Sequence, residues 1–192
     1  MGVTRKIILV CEDQQQETFL SVCMKGLGVS SLHRHIVKWT ASKEELGGNV
    51  NSVINRVNDF EFKSWQAVCQ VRKTLLVVVA DADEEKSVAE RMADFPTADV
   101  KDDKRLYVVV VPKRNIETWI ALGLNLKNVT SINEETDYKG PKMTAHGASR
   151  SAAKILTGIL GSPDAKVANN QVWHTFADTM SRLRTGISIV MR

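Results

Sequence analysis

Three short apolar runs constrain this chain more than any other feature of it. They are Ile7-Ile8-Leu9-Val10-Cys11, Leu75-Leu76-Val77-Val78-Val79-Ala80 and Leu106-Tyr107-Val108-Val109-Val110-Val111. Each is too short for a helix and rich in β-branched side chains. None alternates as a strand with one wet face does, so each is expected to be covered on both faces. Helices on the two sides of a parallel sheet give that cover. A weaker strand is expected at 33–39.

The segments between the runs carry helical periodicity. Phe19, Leu20, Cys23, Met24 and Leu27 recur at helical spacing after the first run, and Gly26 and Gly28 close that helix. Val50, Val53, Ile54 and Val57 mark one side of another, and 60–73, with Phe62, Trp65 and Cys69, also reads as helical. Residues 84–95 read as a helix whose early acids suit the positive end of the dipole, with Pro96 as its stop. Ile116, Trp119, Ile120 and Leu122 mark a further helix after Arg114. The β-α-β-α-β-α-β-α order predicts an α/β fold. Its sheet is four-stranded, mainly parallel, joined by right-handed crossovers and flanked by helices.

A chain of 192 residues suits one domain. The α/β core is expected over 1–124, a polar loop over 125–144, and a C-terminal helical extension over 145–192 packed on the same domain. In the extension, 145–160 and 171–184 read as helices, the second with Val172, Trp173, Phe176, Met180 and Leu183 as its apolar stripe. A hydrophobic content of 43% can bury a core and excludes a disordered chain. Cys11, Cys23 and Cys69 are widely spaced and lie in apolar contexts, as reduced core cysteines do. No run is long enough to span a bilayer and no signal-peptide pattern appears, so a cytoplasmic protein with no membrane partner is expected. The net charge of +4 and pI near 9.0 permit a nucleic-acid partner without demonstrating one.

Acids follow the strands. Glu12-Asp13 comes after the first run, Asp81-Ala82-Asp83 after the second, and Glu117 after the third through Pro112-Lys113-Arg114. The carboxyl ends of neighbouring parallel strands face one crevice, where ligands bind. Carboxylates gathered there repel one another unless a cation or shared protons hold them. Alternate side chains of a strand point the same way, so Asp81 and Asp83 would approach one ion if the strand persists that far. Mg²⁺ prefers oxygen ligands and keeps several waters, so two or three carboxylates suffice. In the competing structural reading, these acids cap the following helix.

Glu12 is placed to bind metal or to move a proton. Asp13 is better suited to starting the next helix, and Glu17, one turn in, could still reach the strand ends. Lys113 and Arg114 add cations beside the acids, a mixture that suits phosphodiester chemistry or a solvated salt-bridge cluster. His146, Arg150 and Lys154 recur at i, i+4 and i+8, a cationic stripe for a nucleic-acid backbone or a plain solvated face. The histidines lack zinc spacing, and no glycine-rich phosphate loop is present, so neither a zinc site nor an intrinsic ATPase is expected.

Glu after the first strand and Asp-x-Asp after a later one resemble the TOPRIM domain of topoisomerases, primases and OLD-type nucleases. The details look closest to small stand-alone TOPRIM-like proteins of bacterial anti-phage defence, of the RloB kind. Those carry a second Glu about one turn after the first, here Glu12 and Glu17, and a Pro-to-Glu-x-Trp segment, here Pro112 to Trp119. The resemblance spans 6–122 and implies a Rossmann-like sheet. It further implies an Mg²⁺- or Mn²⁺-dependent nuclease, or nuclease subunit, acting on DNA or RNA. Glu12 would be metal ligand or general acid/base, Asp81 and Asp83 metal ligands, and Glu117 a further acidic ligand, with Lys113 or Arg114 balancing phosphate charge. A partner ATPase subunit and a homo-oligomer fit the same picture.

Asp13 and Glu84-Glu85-Lys86 stand where TOPRIM domains usually place glycines. This departure supports a second expectation, a non-enzymatic TOPRIM-like protein that docks on an ATPase or restrains a toxin. A third, a receiver-like phosphoacceptor using Asp81, is opposed by the long spacing from the first strand and by the lack of a Lys-Pro after a fifth strand.

Overall fold

The computed structural model describes residues 6–29, 36–40, 49–60, 74–82, 86–95, 105–124, 138, 140–145, 147–160 and 174–191. Strands β1 (Lys6–Cys11), β2 (Ile36–Thr40), β3 (Thr74–Val79) and β4 (Arg105–Val110) form one sheet in the order β2-β1-β3-β4. Each neighbouring pair is parallel, with Leu9 opposite both Lys38 and Val77, and Val77 opposite Val108. Around it lie α1 (Gln14–Gly26), α2 (Val50–Phe60), α3 (Val88–Ala93), α4 (Ile116–Leu124), α5 (Pro141–Thr144), α6 (Ala148–Leu160) and α7 (His174–Met191). The expected α/β, Rossmann-like architecture is the one observed.

The two-sided burial of the strands is the reason their sequences do not alternate. Ile7, Leu9, Cys11, Leu75, Val77, Val79, Val108 and Val110 belong to one core. Their neighbours Ile8, Val10, Leu76, Val78, Ala80 and Val109 belong to the other. Phe19, Leu20 and Cys23 of α1 fill the first core, whereas Val53 and Val57 of α2 fill the second with Val88 and Met92 of α3 against it. The chain moves one way along the sheet from β1 to β2 and the opposite way from β2 to β3 and β4. Right-handed crossovers then require the connecting helices to lie on opposite faces, as they do.

The C-terminal helices complete the first core. α1 packs on β1 and β2, α6 lies against both α1 and α4, and α7 crosses β3 and β4. Three aromatic rings from separate helices meet there. Trp119 of α4 stands 5.2 Å from Phe176 of α7 and 6.2 Å from Phe19 of α1, centroid to centroid.

Small residues let these helices approach. A Cβ on Gly123 would lie 2.8 Å from the Cα and carbonyl oxygen of Ala152 in α6. Alanine is the better helix former by about 0.8–1 kcal/mol, less near a helix end, whereas overpacking a core costs about 1–3 kcal/mol. Because the contact is with backbone, which cannot rotate away, the second effect should win. Gly123→Ala is therefore expected to lower the urea midpoint with an unchanged m-value, and a raised midpoint would show that α4 and α6 are not in close contact.

Several boundaries differ from those expected. The helix read over 84–95 begins only at Val88, because Ser87 accepts from Glu90 N while the Glu90 carboxylate reaches back to Ser87 N at 2.8 Å. This Ser-x-x-Glu capping box sets the start. α7 continues to Met191 rather than stopping at 184, since Ile187 and Val190 carry the buried stripe onward. Within the expected polar loop, Pro141–Thr144 forms a helical turn with the proline in its first positions, where a fixed φ helps and no N–H is needed. α1 ends as expected, with Gly28 at φ +101, a backbone conformation that glycine favours.

Of the helix expected over 60–73, Phe60 ends α2, and the rest, with Cys69, lies outside the described residues. Cys11 and Cys23 are buried free thiols, and burial pushes both up from the ordinary thiol range. Among the described residues, no helix is long and apolar enough to cross a membrane.

Candidate functional site

The strand order reverses between β1 and β3. From β1 the chain goes out to β2 on one side, and from β3 to β4 on the other. Such a switch leaves a crevice beyond the carboxyl ends of the two central strands. Glu12 follows β1 directly and Asp81 stands two residues beyond β3.

The two residues are joined. Asp81 N donates to Glu12 Oε1 at 3.0 Å. Ala80 N and Ala82 N donate to Val110 O and Pro112 O at 3.1 and 3.2 Å, continuing the ladder with β4. Successive N–H groups of a strand point to opposite sides, so the intervening N–H of Asp81 faces β1. By this level β1 has turned toward α1. The Glu12 carboxylate takes the place of the main-chain carbonyl that a longer β1 would have offered.

The turn from β1 to α1 is pinned by its own side chains. Glu12 N donates to Gln16 Oε1 at 2.9 Å. Asp13 is the N-cap, its Oδ1 accepting from Gln15 N and Gln16 N at 2.7 and 2.8 Å. Its backbone, at φ −138 and ψ 173, is extended and makes no demand for glycine. Aspartate at this position thus serves the helix start that follows the strand.

Asp81 is held from the other direction as well. Its carbonyl accepts from Arg91 Nε at 2.8 Å. Arg91 is buried and also bonds Asp94 at 3.0 Å, while Lys86 Nζ grips the same carboxylate at 2.6 and 2.8 Å. The Lys86 hydrogen bond, with the Lys86 and Arg91 charges, holds the Asp94 carboxyl below its ordinary range. Both of these bonds are made by the main chain of Asp81. The cap of α3 is Ser87, so Asp81 is not the cap that the competing structural reading made it.

Asp83 lies outside the described residues, as does His146. Glu117 is buried in the first turn of α4, which Asn115 starts by accepting from Thr118 N at 3.2 Å. Lys113 and Arg114 are half-buried on the bend between β4 and α4. Pro112 O, at the start of that bend, receives Ala82 N, so the bend is tied to the residue after Asp81. Arg150 and Lys154 are exposed on α6. Among the described residues, no three His, Cys, Asp or Glu side chains gather as a metal-binding group.

Glu17 reaches the carboxyl end of β2, whose last residue is Thr40, as expected of a residue one turn into α1. It accepts from Lys38 Nζ at 3.0 Å and from Thr40 Oγ1 at 2.7 Å, and is itself buried. Burial, followed by the Glu17 and Asp13 charges, pushes the neighbouring Cys11 thiol up and away from nucleophilic use. Gln16, Lys38, Thr40 and Arg91 were not singled out by sequence reasoning. Only Arg91 had a legible signal beside it, the Ser87-x-x-Glu90 pattern that fixes its helix.

No family model matches the chain, and no curated protein or solved structure matches it.

Proposed function

We propose that the crevice between β1 and β3 is the centre of an Mg²⁺- or Mn²⁺-dependent nuclease, or nuclease subunit, acting on phosphodiester bonds of DNA or RNA. The observation that carries this reading is the Glu12 carboxylate lodged on Asp81 N at the strand-order switch. It sets two oxygen-donor residues side by side where open parallel sheets bind ligands. Hard oxygen donors suit Mg²⁺, so Glu12 and Asp81 would hold the ion, with Asp83 and Glu117 as the further candidates from sequence. A divalent ion there supplies Lewis-acid stabilisation of charge developing on the phosphoryl group. Lys113 and Arg114, at the adjacent strand end, would balance the substrate's charge. A place in anti-phage defence rests on the TOPRIM-like resemblance alone.

One observation favours a second reading, a metal-free docking module. Oε1 of Glu12 is already engaged by backbone, as a purely structural clamp would be. Titration with Mn²⁺, read by calorimetry and thermal shift, separates the two. Metal binding should raise the melting temperature with ion concentration, by about 2.7 kcal/mol of stabilisation at 100 times Kd. Nucleic acid should then be cleaved with Mg²⁺ or Mn²⁺ and spared in EDTA. Silence in both assays would discard the nuclease and leave the docking module.

A further inference from the structure

A groove runs along the outer side of the contact between α1 and α6, and its chemistry is one-sided. One hollow of about 530 Å³ is lined by Lys25, Arg150, Lys154 and Thr157, among others. An adjoining hollow of about 380 Å³ is lined by Gln14, Thr18, Thr144 and Ser149, and again by Arg150. Arg150 is the shared wall. Among the described residues, no acidic or aromatic side chain lines either hollow. Lys25, Arg150 and Lys154 form no ion pair with any described residue.

A solvated protein face ordinarily intersperses charges of both signs. Three cations around one hollow without an acid repel one another, and an anion would relieve that repulsion. The hydroxyls and amides of the second hollow supply donors that suit phosphate oxygens. Gln14 follows the Asp13 cap, so the groove starts beside the crevice, and Lys25 lies near the far end of α1. At about 1.5 Å per helical residue the groove runs about 17 Å.

We infer that this groove binds the phosphate backbone of double-stranded nucleic acid. The described lining offers cations, hydroxyls and amides and no aromatic side chain, which favours a duplex, because single-strand platforms hold bases by stacking on aromatic rings. At 3.4 Å per base pair along one strand, about five base pairs would lie along it. As the substrate track of a nuclease this rests on the function proposed above, whereas as a binding surface it stands without it.

The test is anisotropy of a labelled 20-bp DNA duplex, in EDTA, between 50 and 200 mM salt, with wild type and the triple variant Lys25→Gln, Arg150→Gln, Lys154→Gln. Each phosphate contact contributes about 0.9 to the slope of log K against log salt. The triple variant should therefore lose about 2–3 from that slope and bind at least tenfold more weakly at 50 mM salt. Arg150→Glu alone, at an exposed position, should weaken binding in the same direction if the triple variant folds poorly. An unchanged slope in folded variants would overturn the inference. Tighter binding of a single strand of equal length would overturn it too, as would displacement of the duplex by an acidic peptide at lower concentration than by unlabelled duplex. Because EDTA is present throughout, loss of the metal-dependent reading leaves this result untouched, and loss of the groove leaves metal binding to be judged separately.

Discussion

Phe176→Ala should lower the free energy of unfolding by about 3–5 kcal/mol, the range for deleting a buried phenyl ring. The ring is 2% exposed and stands edge-on to Trp119 at 5.2 Å and to Phe19 at 6.4 Å. Its removal loses the transfer free energy of the ring, opens a cavity between α1, α4 and α7, and breaks aromatic pairs worth about 0.5–1.5 kcal/mol each. Set against a total of about 5–15 kcal/mol for a typical domain, such a loss is large. Urea unfolding should remain one transition with a lower midpoint and an unchanged slope. If α7 were a loosely attached appendage, the substitution would cost well under 1 kcal/mol, or a separate early transition would appear. Either result would remove α7 from the core.

The place of α7 illustrates what a sequence does and does not disclose. Phe176, Met180 and Leu183 announce a buried helical face, because a 3.6-residue period shows that a stripe is hidden. The period does not say what hides it. That depends on α1 packing on β1 and β2, which leaves the β3–β4 half of the same face for α7. The strands were more legible, since a run such as Leu75 to Ala80, apolar at every position, has few other uses than a doubly covered parallel strand. The glycine contacts of α6 were not legible at all. Gly123 in the sequence gives no sign that Ala152 lies against it.

The candidate site divides in the same way. That acids follow strands is plain from the order of residues. That Glu12 and Asp81 are neighbours depends on β1 pairing with β3, a non-local choice that periodicity does not fix. In the sequence, the helix of Arg91 shows only early acids suited to the dipole, yet Arg91 is buried against the Asp81 carbonyl. Glu17 was the more legible case. One turn into α1 it reaches a strand end, as its position suggests, and there it meets Lys38 and Thr40 of β2.

Glu12 carries the sharpest remaining test, because its structural and chemical roles separate by substitution. Glu12→Ala leaves Asp81 N without its described acceptor, in a part-buried position, and should cost about 1–3 kcal/mol. Glu12→Gln retains a side-chain carbonyl that can accept the same N–H, so its cost should stay under about 1 kcal/mol. Both variants lose the charge that a metal ligand or general base needs. Cleavage should therefore fall by about 10²–10⁴-fold in both, the range for losing a positioned acid or base. Asp81→Asn completes the set, since the bonds from Asp81 N to Glu12 and from Arg91 to the Asp81 carbonyl are main-chain bonds and survive the change. It should melt within a few degrees of wild type and yet lose Mn²⁺ affinity and cleavage. Glu12→Gln with full cleavage would reduce Glu12 to a clamp between strand ends. Equal stability of the alanine and glutamine variants would show that the carboxylate does not stand in for the missing ladder carbonyl, and the geometric basis for the site would fall with it.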